Sequence, residues 1–161
     1  MKRILAPIAV VLVILGFLVW WMSPTQVVKR RTSSLMNTLT MAEGSGQAER
    51  QSGSFSLTGL LEKELTLEAP NYEEANGTFD RTTVESGFSA LANNAKFTKF
   101  EVKEFREVEV VGDEATVTAQ VESVVALPEF RPLDGLYEVT MIWRKEEDGW
   151  RLAKAKWSES R

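Results

Sequence analysis

Two residue types are missing from this 161-residue chain: it has no cysteine and no histidine. Without cysteine there is no disulfide framework, no thiol nucleophile and no thiolate-ligated metal. Without histidine the chain loses the usual general base near neutral pH and the commonest metal ligand. We therefore expect no metal and no cofactor. Basic charge is also short. Lys2 and Arg3 are the only charges in the first 22 residues, so the remainder carries 17 Lys and Arg against 23 Asp and Glu, a net of −6. A domain of that balance lacks the basic face that neutralises phosphates, so nucleic acid is not expected as a partner.

One long apolar run is present. Residues 4–22, "ILAPIAVVLVILGFLVWWM", are nineteen in number and uncharged. As a helix they would span roughly 28 Å, close to the hydrocarbon thickness of a bilayer. A soluble core helix of that length would show a polar face, and this one has none. The run is too long for the core of a secretory signal, and Trp20, Trp21 and Met22 stand where a signal peptidase needs small side chains. The expectation is a retained single-pass anchor over 1–22 followed by one domain over 23–161. Lipid bilayer is then a partner along 4–22, with Trp20 and Trp21 at the headgroup interface. Lys29, Arg30 and Arg31 add a basic cluster near that interface. Lys2 and Arg3 directly abut the run, whereas the rear charges begin seven residues beyond it. That favours a cell-membrane protein with its N-terminus inside and its C-terminal domain extracytoplasmic.

Ser23-Pro24 is a helix start, with serine at the N-cap and proline at the first helical position. Val28, Leu35, Leu39 and Ala42 recur at helical spacing and predict a helix over 24–42. The polar, glycine-rich stretch 43–54 predicts a break, Phe55–Leu61 a brief second helix, and 62–70 a first strand ending at Pro70. Asn76-Gly77 predicts a turn. Asp80 is placed to cap a helix over 81–95, with Val84, Phe88, Leu91 and Ala95 on one face. From Phe97 the period changes to two. Segments starting at residues 97, 114, 136 and 150 predict a four-stranded antiparallel meander, with Tyr137, Val139, Met141 and Trp143 sharing one strand face.

Long helix, short helix, strand, helix, then four long strands is an α+β order. Three stretches carry a family likeness: "GTFDRTTVESGFSAL" (77–91), "EVVGDEATVTAQVES" (109–123) and the closing hairpin "EVTMIWRKEEDGWRLAKAKW" (138–157). They resemble the nuclear transport factor 2-like (NTF2-like, SnoaL-like) superfamily, in which a curved antiparallel sheet wraps around helices as a cone. The resemblance spans residues 24–159 and implies one of two uses. Some members are enzymes such as polyketide cyclases, ketosteroid isomerases and dehydratases, with a pocket at the wide end; others are non-catalytic modules. An N-terminal anchor with such a domain is similar, in architecture only, to the periplasmic subunit of type IV secretion systems and to Mce-associated membrane proteins.

The enzyme alternative requires a carboxylate base in an apolar pocket with donors for an oxyanion. Asp80, Asp134 and Glu138 are the carboxylates near aromatic residues. Asp80 reads as a helix cap, Asp134 before Gly135 as a turn residue, and Glu138 as solvent-facing. The Asp–His dyad that the resemblance would imply for a dehydratase cannot exist here. No residue is therefore assigned as catalytic. The expected role is a membrane-anchored binding module for a protein partner or a small apolar ligand. Tyr72, Tyr137 and Trp143 are the expected ligand or partner surface, and a homodimer or protein partner through the sheet face is the companion expectation.

Overall fold

The computed structural model describes residues 2–70 and 75–159, with side chains from residue 11 onward. In chain order the elements are α1 (Lys2–Trp21), α2 (Pro24–Leu39), α3 (Gln47–Thr58), β1 (Leu61–Glu68), β2 (Gly77–Asp80), α4 (Arg81–Asn94), β3 (Phe97–Val111), β4 (Glu114–Ala126), β5 (Leu133–Glu146) and β6 (Gly149–Glu159). The strands form one mixed, mostly antiparallel sheet in the order β2-β1-β6-β5-β4-β3. Among the described strands only β1 and β6 pair in parallel.

The predicted meander is β3 to β6. Period-two alternation puts Ala115, Val117, Ala119 and Val121 of β4 on the inner face, opposite Trp143, Met141, Val139 and Tyr137 of β5. The edge strand β3 has register shifts after Val102 and after Phe105. Each shift adds one residue, so Phe100, Val102, Phe105, Val108 and Val110 all stay on the inner face. One end of that edge is occupied: Met41 and Thr98 exchange backbone hydrogen bonds of 2.9 and 3.1 Å, and the Thr98 hydroxyl donates to the Leu39 carbonyl at 2.6 Å. α2 buries Val28, Thr32, Leu35 and Met36. Of the predicted stripe Val28 and Leu35 are buried and Leu39 half-buried, but the helix ends at Leu39 rather than at 42 and Ala42 is exposed.

Three expectations need correction. α3 occupies most of the stretch predicted to be a break. Its composition is polar, so its stability comes from its contacts. The Arg50 guanidinium donates to the carbonyls of Ser45 and Ala95 at 3.0 and 2.9 Å and to that of Ala92, tying α3 to the end of α4. Gly53 permits the close approach: a Cβ there would lie 3.0 Å from the Phe88 ring and 3.3 Å from the Thr38 carbonyl. Second, Asn76-Gly77 leads into a further strand, because Gly77 at φ +143° starts β2, which pairs with β1 from Leu67↔Gly77 to Glu64↔Asp80. Third, Ser23 takes the N-cap position of α2 but makes no side-chain capping bond, leaving Pro24 as the start signal. Asp80 does cap α4: its carboxylate accepts from the Thr83 amide at 2.9 Å and hydroxyl at 2.8 Å. The hydroxyl bond is the main reason its carboxyl sits below the ordinary range.

Large apolar side chains along 11–22 are exposed on every side of α1, and Trp21 meets the domain through Arg30 of α2. Among the described residues no single helix is long and apolar enough to cross a membrane. Only the bent pair 11–21 and Pro24–Leu39, at 58°, would suffice by length and composition. α2 is committed to the domain core and is not free to take that role.

Candidate functional site

The inner face of the sheet is filled at one end and hollow at the other. At the filled end Trp143, in the central strand β5, is 0% exposed. It is therefore a core residue, which corrects its expected place on a ligand or partner surface. Its indole N–H has no hydrogen-bond partner among the described residues. Toward the other end the inner row runs through Ser123 and Gly135, paired across β4 and β5, and small residues there leave space. A Cβ on Gly135 would lie 2.7–2.9 Å from the Tyr137 ring, so glycine lets that ring lie back over the strand.

The space is an apolar cavity of about 280 Å³, walled by Phe100, Val125, Leu133 and Trp157 with Ser123 and Tyr137 as its polar side chains. Trp157 packs edge-on against both Phe100 and Tyr137, with ring centroids at 6.2 and 6.1 Å. A second cavity of about 170 Å³ lies deeper, walled by side chains such as Leu35, Val84, Phe88 and Leu152. Leu67 and Trp157 line both. Among the described residues no carboxylate, lysine or arginine lines either one. The outer cavity opens beside the β4–β5 connection, where Phe130 and Leu133 are exposed.

Of the expected surface residues, Tyr137 lines the outer cavity, Trp143 is buried, and Tyr72 lies outside the described residues. Trp157, Leu67 and Phe100 were not expected at a site. The inward positions of Leu67 and Phe100 follow from strand alternation, whereas that of Trp157 depends on an irregularity in the β5–β6 pairing. The depth of the space beside them does not follow from alternation. The carboxylates considered as bases are elsewhere: Asp80 caps α4, Asp134 is exposed, and Glu138 lies on the outer sheet face 4.0 Å from Arg106. Glu62, whose carboxyl is pushed up by burial and partly offset by Arg144 at 3.4 Å, also lines neither cavity. No group of three or more potential metal ligands occurs among the described residues.

The junction residues form a separate group. Arg30 stacks on the Trp21 ring at 4.4 Å and donates to the Trp21 carbonyl at 2.8 Å, holding the α1–α2 corner. Trp20 and Trp21 cluster with Phe17, with centroids 5.8–6.4 Å apart. Lys29 lies 5.5 Å over the Phe105 ring, and Arg31 donates to the Gly59 carbonyl at 3.2 Å. All three basic residues thus also have contacts within the chain.

No family model and no curated protein matches the sequence. Solved structures do. An NTF2-like protein from Cytophaga hutchinsonii superposes with a TM-score of 0.66 at 14% identity, covering 86% of this chain and 100% of that one. The CaMKII hub from S. rosetta gives 0.63 at 20% identity, covering 86% and 98%. An NTF2-like family protein from Streptomyces avermitilis, for which dehydratase activity has been suggested, gives 0.63 at 15%, covering 85% and 96%. The chain therefore has the α+β NTF2-like fold. Its neighbours include a CaMKII hub and a suggested dehydratase, so the fold leaves the role to the site.

Proposed function

We propose that the protein is a membrane-anchored, non-catalytic binding module whose cone takes a small apolar ligand at the extracytoplasmic surface. One observation carries the reading: both cavities are walled by apolar side chains, and among the described residues no carboxylate lines either one to act as a general base. A proton-abstracting enzyme of this fold would need such a base, with a pKa raised by that apolar wall. Tyr137 and Ser123 at the outer cavity suit orientation of one polar group on an otherwise apolar ligand.

The anchor rests on α1. The part of that helix whose side chains are described, 11–21, is by itself too short to cross a bilayer. The anchor is proposed on the uncharged sequence run 4–22, which falls almost wholly in the 20-residue helix Lys2–Trp21, about 30 Å long. Its described apolar side chains face solvent on all sides, which is tolerable in lipid and costly in water. The Trp21–Arg30 corner places aromatic and basic groups together at its end, as a headgroup interface favours.

The test is photolabelling of the full chain in its membrane with a neutral apolar diazirine. Label is expected both on residues 4–22 and on peptides carrying Leu133, Tyr137 and Trp157. Val125→Trp, which fills the outer cavity, should remove the second set and keep the first. Label confined to residues 4–22 would overturn the binding reading, and no label on them would overturn the anchor. A C-terminal alkaline phosphatase fusion that stays inactive would overturn the outward orientation.

A further inference from the structure

We infer that the ligand is a single flexible acyl chain, lying with its polar end by Ser123 and Tyr137 and its methyl end past Leu67 and Trp157 in the deeper cavity. The inference rests on the binding reading above and adds the ligand's shape and direction. Drug-sized ligands occupy pockets of roughly 300–1,000 Å³. Neither chamber reaches that size, at about 280 and 170 Å³, so a compact ligand confined to one of them must be very small. An occupant that uses both has to pass over Leu67 and Trp157, which lie on the paired strands β1 and β6, line each chamber and would form the waist between them. A thin chain with freely rotating bonds passes such a waist, and a rigid fused-ring system does not.

The chemistry of the walls sets the direction. The deeper chamber is walled by aliphatic and aromatic side chains such as Leu35, Phe88, Val139 and Leu152, and a headgroup there would be desolvated without a partner. The outer chamber has the hydroxyls of Ser123 and Tyr137, and Leu133 at its wall is 58% exposed, so this end reaches water. Polar end outward and methyl end inward is the arrangement in which every group meets its own kind. Among the described residues no cation lines the outer chamber, so the polar end is held by hydrogen bonds and solvent rather than by a buried ion pair.

Fatty acids carrying a diazirine on their terminal carbon test this with the full chain in nanodiscs. A sixteen-carbon probe should label deep-chamber peptides carrying Phe88, Val139 or Leu152, and an eight-carbon probe should label peptides carrying Phe100, Val125 or Leu133. Leu67→Trp should close the waist and lower the deep-to-outer labelling ratio of the long probe at least tenfold, while Leu67→Ala should preserve or raise it. A diazirine-bearing sterol, too bulky and rigid to pass the waist, should leave the deep-chamber peptides unlabelled. Equal deep labelling by the sterol would overturn the inference, as would a long-probe pattern unchanged in Leu67→Trp or confined to the outer chamber in the native chain. In each of those results the domain still binds an apolar probe, so the reading under Proposed function survives. Absence of label anywhere in the domain, with the neutral diazirine as well, would remove both.

Discussion

The two faces of one sheet contrast most sharply along β4. Ala115, Val117, Ala119 and Val121 are 0% exposed on the inner side. Their neighbours Thr116, Thr118, Gln120 and Glu122 form an outer side that is polar and half-exposed. That outer side is tied by charges: Lys99 lies 2.7 Å from Glu122 and 3.0 Å from Glu101, and Lys103 lies 2.8 Å from Glu101 and 3.1 Å from Glu122. The inner face stabilises the fold by removing apolar area from water, which is non-directional and large. The outer face contributes solvated ion pairs, which are small and salt-sensitive. The proposed apolar ligand therefore belongs to the inner face. A homodimer or protein partner on the outer face would have to be polar.

The largest expected effect of breaking this contrast is at Trp143. Trp143→Ala should cost about 3–5 kcal/mol in denaturant unfolding, as large aromatic truncations in cores do. Trp143→Phe should cost much less, because it keeps most of the ring and removes an indole N–H with no partner among the described residues. Next comes filling the hollow end. Val125→Trp should lower stability by about 1–3 kcal/mol if the outer cavity cannot accept the ring, and by less if it can. Thermal unfolding then reports how much space the wall offers.

Smaller again is the loss of the α4 cap. Asp80→Ala should lower Tm by less than Trp143→Ala does, and Asp80→Asn, which retains an acceptor, should recover most of it. Smallest is the outer charge cluster. Hydrogen bonds from Lys103 and then Lys99 hold the Glu101 carboxyl down at about 2. A group whose folded pKa is depressed contributes stability above its unfolded value, and that contribution fades as pH falls toward the folded value. Acid unfolding of Glu101→Gln should thus differ from the native chain above about pH 4 and converge with it as the pH approaches 2. High salt should shrink the difference at neutral pH.

Much of the fold was legible because strand alternation is a local signal. The inward positions of Val117 and Val139 follow from period two, whereas that of Trp157 depends on an irregularity in the β5–β6 pairing that alternation does not show. The cap at Asp80 follows from its place before an apolar helical stripe. α3 was not legible, since Gln47–Thr58 carries little apolar periodicity and is held by Arg50 and by the approach of Gly53 to Phe88. β2 was hidden because a glycine at positive φ reads as a turn whether or not a strand follows it. The site was legible only at Tyr137. Alternation shows that Trp143 points inward, but not that it lies in a packed centre while Trp157 stands beside a space left by Ser123 and Gly135. That distinction depends on pairing across strands, which no single segment encodes.

The central claim is that the hollow end of the inner face is a ligand chamber. Its most direct test is organic extraction and mass spectrometry of the purified full chain beside Val125→Trp. The account predicts close to one acyl-bearing molecule per native chain and a loss of most of it from the variant. An equal amount from both proteins, or none from either, would contradict it.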